Sequence, residues 1–233
     1  MFHSITFGDK NTWDDWHLIP VTRPVIAPPQ VQSKYVEIPG MDGAYDMTEW
    51  LSGRVNYQNR SGSMDFAVEN DHMPWHVLYS TILNYLHGKR MHVILEDDPE
   101  YYYDGRMTVN TWKSDKWYST IAIGYTMDPW KYRIGSTKER WKWDPFNFYT
   151  GVIQNFEAYQ VSGSASVMLY GYSMPAPIKF TCTSAMTMTF NGRTYNLPAG
   201  ESTLEDIGLK EGPNILVFNG NGTVGIDYSG GSL

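Results

Sequence analysis

Apolar residues recur at helical spacing in one stretch of this chain, which begins after Pro74 and ends before Gly88. Proline suits the first turn of a helix, and glycine suits the left-handed position that follows the last turn. Because residues three and four apart lie on one face of a helix, this spacing predicts an amphipathic helix that packs on a sheet. The apolar stripe consists of Trp75, Leu78, Tyr79, Ile82 and Leu86.

Elsewhere in the first half, apolar and polar residues alternate at period two, which is typical of half-buried antiparallel strands. Short segments rich in glycine, serine and aspartate separate these stretches and predict turns. The first half is therefore predicted to be an α+β domain, an antiparallel β-sandwich with one helix on the sheet. The predicted strands are Ser4–Phe7, Met91–Glu96, the hairpin of Tyr101–Thr111 with Trp117–Tyr125, and the hairpin of Arg54–Asn59 with Met64–Glu69, joined by Ser61–Ser63.

The second half contains short alternating segments without a helical period, and Asn191–Gly192 and Gly220–Gly222 predict hairpin turns within it. Eight short strands with regular turns favour a β-sandwich or jelly roll. We therefore predict a mainly β protein with domains at residues 1–135 and 151–233, joined by an aromatic linker at 136–150. The eight predicted strands are Val152–Phe156, Ser166–Leu169, Ile178–Cys182, Met186–Phe190, Arg193–Leu197, Ser202–Leu204, Asn214–Phe218 and Thr223–Tyr228.

A proline-rich segment, Pro20–Gly40, interrupts the first domain, and Met41–Asp46 after it predicts a turn. Proline fixes φ and lacks a backbone N–H, so this segment is not a central strand throughout. Two interpretations remain open, an extended arm that lies on another surface and an ordinary surface loop. The prolines are Pro20, Pro24, Pro28, Pro29 and Pro39.

The formal net charge is −7, and no basic cluster is longer than Lys89–Arg90. A protein that grips nucleic acid through its phosphates needs a basic patch, so such binding is excluded. An acidic wall remains compatible with DNA that slides past it, because repulsion prevents sticking. No apolar run is long enough to span a membrane. The N-terminus lacks the features of a secretory signal, so we expect a non-secreted protein made in a cytoplasm.

The sequence contains no recognisable catalytic or cofactor motif. His72 and His76 lie four residues apart, but His72 precedes Pro74 and is expected outside the helix, so we predict solvated positions rather than metal ligands. Adjacent acids on a strand point to opposite faces and do not form an acid–base pair. Cys182, the only cysteine, is predicted to be a small buried side chain. We therefore predict no enzymatic activity, no metal and no cofactor. The adjacent acid pairs are Asp14–Asp15, Asp97–Asp98 and Glu205–Asp206.

Several stretches resemble the distal tail protein family of siphophages. Their order and spacing extend over nearly the whole chain, and Trp141–Phe148 is similar to the family's domain junction. Asn214–Phe218 and Gly222–Tyr228 resemble the family's closing hairpin. The remaining stretches that resemble the family are Ile5–Gly8, Asn11–Leu18 and Tyr35–Gly43.

The resemblance implies a structural protein of the virion tail, in which N-terminal domains form a hexameric ring and a galectin-like β-sandwich points outward. Its implied partners are copies of itself, the major tail (tube) protein, a tail-tip protein or tail-associated lysin, and receptor-binding components, with DNA only passing through the lumen and no membrane contact. We expect the proline-rich segment to clasp a neighbouring copy. The predicted interface residues are Arg23, Pro24, Val25, Ile26, Pro28, Pro29 and Tyr35.

A carbohydrate-binding module that recognises host wall polysaccharide is the alternative function. Saccharide sites need an exposed aromatic platform with flanking polar groups, and the second domain offers tyrosines but no tryptophan. This short chain shows no inserted carbohydrate-binding domain such as some family members carry. The candidate platform residues are Tyr159, Tyr170, Tyr172, Tyr195 and Tyr228.

Overall fold

A computed structural model gives the structure of the protein and describes residues 3–50, 52–68, 74–114, 119–134, 156–174, 178–204, 207–228 and 230–233. The chain divides into two compact units, Met1–Lys131 with Leu233, and Tyr132–Ser232. Each unit has its own buried apolar core. The predicted linker at 136–150 lies outside the described residues.

The first unit is built on an antiparallel sheet and one described helix. Seven strands follow the order β2-β1-β7-β8-β9-β6-β3, and two further strands, β4 and β5, pair with each other in a separate small sheet. The elements are β1 (Ile5–Phe7), β2 (Lys10–Asn11), β3 (Leu18–Pro20), β4 (Tyr35–Glu37), β5 (Ala44–Asp46), β6 (Arg60–Val68), α1 (Trp75–Leu86), β7 (Arg90–Leu95), β8 (Tyr101–Ser114) and β9 (Ser119–Arg133), whose last two residues belong to the second unit.

The helix α1 occupies Trp75–Leu86, as the apolar stripe predicts. Gly88, beyond its C-terminus, has a φ of 77°, the left-handed conformation that favours glycine. The buried face of α1 consists of Leu78, Ile82 and Leu86, which join the core of the first unit. The helix therefore lies on the sheet through the face that the sequence identified.

The predicted hairpin of Arg54–Asn59 with Met64–Glu69 is wrong. Residues Ser61–Ser63 are not a turn but part of the continuous strand β6, which pairs with β9 and β3. Gly62 lies opposite Tyr125 of β9, and a Cβ at Gly62 would come within 2.6 Å of the Tyr125 ring carbon Cζ. The glycine is therefore required by the approach of an aromatic ring rather than by a turn.

The second unit is a β structure in which one long strand contacts most of the others. The strand order is β13-β12-β15-β11-β14, and β10 pairs with β15. Its strands are β10 (Tyr159–Gly171), β11 (Ile178–Cys182), β12 (Met186–Phe190), β13 (Arg193–Leu197), β14 (Gly200–Leu204), β15 (Gly212–Tyr228) and β16 (Gly231–Ser232). The mainly β prediction is confirmed for both halves of the chain.

The predicted closing hairpin around Gly220–Gly222 is also wrong, because these residues lie inside the single strand β15. The first half of β15 pairs with β12 through residues 217–219, and the second half pairs with β11 through residues 224–228. Gly220 and Gly222 have φ values of 151° and 143°, which bend the strand between the two partners. The hairpin turn predicted at Asn191–Gly192 is confirmed, since β12 and β13 pair directly across it.

Candidate oligomer interface

The first part of the proline-rich segment, residues 21–27, lies on the sheet of its own unit. Pro24 is buried, and Ile26 is buried within the core. The Val21 N–H donates to the Asp65 carbonyl at 2.9 Å, which extends the pairing of β3 with β6 by one residue. This part of the segment is therefore held by its own subunit.

Two side chains fix the point at which the chain leaves the sheet. The Ala27 N–H donates to Tyr125 Oη at 3.0 Å, and the Ala27 carbonyl accepts from Arg60 Nη1 at 3.2 Å. Tyr125 reaches this position because its ring crosses Gly62. Both backbone groups of Ala27 are thus satisfied by residues of the neighbouring strands β6 and β9.

Arg60 is a buried cation, 4% exposed, that joins this anchor to a second segment of backbone. Its Nε donates to the Pro129 carbonyl at 2.8 Å, and its guanidinium carbon lies 5.4 Å from the centroid of the Tyr103 ring. Burial lowers the pKa of Arg60 from its ordinary value, and the nearby Tyr103 and Tyr125 act in the opposite direction. Hydrogen bonds from a charged donor to two carbonyls make the anchor stiff.

Residues 28–50 and 52–59 form an excursion from the sheet, which we call the ribbon. Its two legs run antiparallel and are linked by backbone hydrogen bonds, and the Tyr57 ring packs edge-on against Trp130 at 5.5 Å between ring centroids. The legs therefore support each other on their way out from the anchor. The backbone links are Gln58 N–H to the Gln30 carbonyl at 2.8 Å, Gln32 N–H to the Asn56 carbonyl at 2.8 Å, and the bridge of Val31 with Tyr57.

The end of the ribbon is a tip hairpin, Tyr35–Asp46, made of β4 and β5. Every residue from 31 to 46 is exposed. A two-stranded hairpin is marginally stable alone in water, and an exposed apolar patch is typical of an interaction surface. The large apolar side chains exposed on the ribbon are Val31 (46%), Tyr35 (61%), Val36 (37%), Ile38 (46%), Met41 (44%), Tyr45 (55%) and Trp50 (71%).

The ribbon also carries an acidic surplus. Residues 34–49 contain one lysine and four acids, a net charge of −3. The Thr48 side chain and backbone donate to Asp46 and lower the pKa of that carboxyl. Across the first unit, 11 Lys and Arg stand against 17 Asp and Glu, a net of −6, whereas the second unit has 7 against 8, a net of −1. The negative charge is therefore concentrated in the first unit.

The seven residues predicted for the interface occupy three different environments. Pro24 and Ile26 fill the unit's own interior, so they do not offer side-chain surface to a neighbour. Whether the remaining residues contact a second copy stays a prediction. Val25 (71%), Pro28 and Tyr35 (61%) are exposed, Pro29 is half-buried, and Arg23 is exposed with its Nε 2.9 Å from Asp97 Oδ2.

Sequence reasoning recognised the turn at Met41–Asp46 but missed the hairpin around it. The signal was present, since Tyr35–Glu37 and Ala44–Asp46 alternate on either side of two glycines with positive φ, 85° at Gly40 and 81° at Gly43. The exposed side chains of Tyr45 and Trp50 were also missed. Nothing in their local sequence distinguishes them from core residues.

The acidic residues and histidines considered as catalytic or metal-binding groups in the sequence analysis form separate local contacts. Asp15 lies 2.8 Å from Lys10 and Asp98 lies 2.7 Å from Lys131. Hydrogen bonding from Arg23, then from His3, lowers the pKa of Asp97. Within the described ranges, no three His, Cys, Asp or Glu residues are grouped so that they could bind a metal ion. His72 and the pair Glu205–Asp206 lie outside those ranges.

Among the described residues of the second unit, the five candidate platform tyrosines differ in exposure. Tyr228 is buried, at 4% exposure, and donates through its hydroxyl to the Tyr170 carbonyl at 2.8 Å. Tyr170 is exposed, whereas Tyr159, Tyr172 and Tyr195 are half-buried. Cys182 is buried as predicted, and burial raises the pKa of its thiol.

The helix that the structure describes is too short to cross a bilayer. The chain is therefore a mainly β protein of two units, and the first unit carries one described helix and an exposed apolar ribbon. The fold is similar to that of the Dit protein of phage SPP1, whose crystal structure is described as a paradigm of the hub adsorption apparatus in phages that infect Gram-positive bacteria. The TM-score is 0.67 with 14% sequence identity, over 100% of both chains. No family model matches the chain, and no curated protein matches it.

Proposed function

We propose that this chain is a structural subunit of a phage tail tip, a distal tail protein whose copies assemble into a ring through the ribbon. The observation that carries the proposal is the run of exposed residues from 31 to 46, rich in apolar side chains, on a firmly anchored ribbon. The fold that the chain shares with a phage hub protein supports the location in the tail. In this role the protein acts through geometry and self-association, without enzymatic activity or a cofactor.

The dimensions of the ribbon suit a contact between neighbouring copies. The segment from Gln30 to the turn at Gly40, which contains β4, covers ten residue steps and spans at most roughly 33 Å at about 3.3 Å per residue. A unit of about 130 residues has a diameter of roughly 35 Å, so the ribbon is long enough to cross one face of the next copy. A contact in which one part of a copy reaches a different part of the next is head-to-tail, and such contacts form rings when the rotation from one copy to the next closes.

The charge distribution agrees with a ring that conducts DNA. A net charge of −6 per first unit gives −36 for six copies, against −6 for six second units at −1 each. An acidic lumen repels phosphate groups, so DNA would pass without binding. In this arrangement the tail tube protein lies on one side of the ring, a tail-tip protein or lysin lies on the other, and the second units face outward toward receptor-binding components.

Substitution of the exposed ribbon side chains tests this proposal. The variant Tyr35→Ser, Tyr45→Ser, Trp50→Ser removes three side chains with exposures of 61%, 55% and 71%, so the core remains intact. The matched control is Met168→Ser, Tyr170→Ser, Ile215→Ser in the second unit, with exposures of 63%, 42% and 60%. Deletion of residues 25–33 is unsuitable, because it would also remove the core residue Ile26.

The measurement is molar mass by light scattering, for the chain alone and with its tail partners. We expect a hexamer for the wild type and the control, and a monomer for the ribbon variant. A monomeric wild type under both conditions, or a hexamer that survives the ribbon substitutions, would contradict the proposal.

A further inference from the structure

A cavity of about 550 Å³ lies on the first sheet, over strands β6, β8 and β9. Its floor consists of small side chains on β9, Thr120 and Ala122, and Asp65 of β6 lies directly beside Ala122 in the strand register. Val21, Trp112 and the buried Ile121 are its larger apolar lining residues. Small residues between larger ones make this face concave, and the volume is typical of a small-molecule site.

Trp112 is a preorganised wall of this cavity. Its ring lies 4.9 Å from Tyr79 and 5.8 Å from Trp75, measured between centroids, so α1 supports it. Nevertheless, 49% of the residue is exposed. An indole that is held by packing and open on its remaining surface offers an aromatic contact at little cost in side-chain entropy.

The polar groups around Trp112 are of the kind that recognises hydroxyl groups. Thr120 both donates and accepts hydrogen bonds, and the Asp65 carboxylate accepts them. Thr111 and Lys113 also line the cavity, but as neighbours of Trp112 on β8 their side chains alternate to the opposite face of the strand. Within the described parts of the chain, the Asp65 side chain has no hydrogen-bond or ion-pair partner. An acceptor carboxylate beside a hydroxyl and an aromatic ring favours a ligand that donates several hydrogen bonds.

We propose that this cavity binds a pyranose saccharide. The C–H face of a sugar ring packs on an aromatic surface, and its hydroxyls need both donors and acceptors at the rim. A segment of a partner protein fits less well, because charged residues are depleted at the centre of protein interfaces. A nucleotide would need a phosphate cradle, whereas the Asp65 carboxylate in this cavity would repel phosphate groups. This site differs from the tyrosines of the second unit that the sequence suggested, and it does not depend on ring formation.

Calorimetric titration of the full chain with chitotetraose, maltotetraose and galactose tests the inference. We expect at least one probe to bind with a dissociation constant on the order of 1 mM, as is typical of a shallow site that immobilises few groups. Trp112→Ala should weaken binding by about tenfold or more, Asp65→Asn should weaken it, and Trp112→Phe should retain most of it. Tyr170→Ala, an equally exposed aromatic in the second unit, is the matched control and should bind as the wild type does.

The absence of binding by all three probes up to about 10 mM, roughly ten times the expected constant, would overturn the proposal. Binding that is lost in Tyr170→Ala but kept in Trp112→Ala would place the saccharide elsewhere and would also overturn it. The proposal would also be overturned if no saccharide bound and Trp112→Ala changed the molar mass of the protein. The cavity would then be a contact between protein chains. None of these results depends on whether the ribbon assembles a ring.

Discussion

Gly62→Ala tests the anchor that fixes the ribbon to the first unit. A methyl group at this position would lie 2.6 Å from Tyr125 Cζ and 3.1 Å from Cε1, so the buried ring must move. Overpacking of a core costs about 1–3 kcal/mol, and loss of the Ala27 hydrogen bond to Tyr125 costs about 1 kcal/mol. Alanine also lowers the conformational entropy of the unfolded chain, which stabilises the folded state by about 0.5–1 kcal/mol. We expect a net loss of roughly 2 kcal/mol in the free energy of unfolding.

Urea unfolding followed by circular dichroism measures this loss, and hydrogen exchange of residues 24–30 measures release of the Ala27 amide. Ser63→Ala, an exposed position on the same strand, is the control and should leave both unchanged. The φ of Gly62 is not positive, so backbone strain does not contribute to the effect. An alanine variant as stable as the wild type, with unchanged exchange at Ala27, would refute the ring-crossing argument.

Three further predictions concern other parts of the chain. Gly105→Ala should destabilise the first unit by about 3 kcal/mol, as measured by urea unfolding. The added methyl group would lie 2.5 Å from the Thr126 carbonyl oxygen, and a backbone atom cannot move aside as easily as a side chain. An unchanged free energy of unfolding would contradict this prediction. Cys182 should react slowly with iodoacetamide at about pH 8 in the native protein and rapidly in urea, because burial raises its thiol pKa; equal rates would be contrary. Asp97→Asn should lower stability near neutral pH, because the pKa of Asp97 is lower in the folded protein. The difference from wild type should shrink as the pH falls below 3.8 and vanish only below the lower folded-state pKa, and a difference that does not shrink on acidification would be contrary.

The helix α1 was predictable because its signals are local. Pro74 and Gly88 mark its ends, and its apolar stripe lies within 12 residues. The β hairpin at Asn191–Gly192 was predictable for the same reason, since the turn type is set by two adjacent residues. Local sequence thus identified those elements whose ends and faces depend on neighbours in the chain.

The two wrong hairpins both arose from glycines whose cause is distant in sequence. Gly62 accommodates the ring of Tyr125, and a Cβ at Gly220 would lie 2.6 Å from Cβ of Met186. A single sequence does not reveal which side chain approaches a glycine, so a turn was the simpler interpretation. The exposure of Tyr45 and Trp50 was missed for a related reason, because apolar side chains ordinarily indicate a core.

Photo-crosslinking from the ribbon tip tests most directly whether copies contact each other there. With benzoylphenylalanine in place of Tyr45, irradiation should produce a ladder of covalent oligomers in steps of 26.7 kDa that ends at six copies, about 160 kDa. The same probe in place of Tyr170 should leave the chain uncrosslinked to itself. If irradiation at position 45 gives only the single 26.7 kDa chain at concentrations where an assembly exists, the ribbon is not the contact and the account is contradicted.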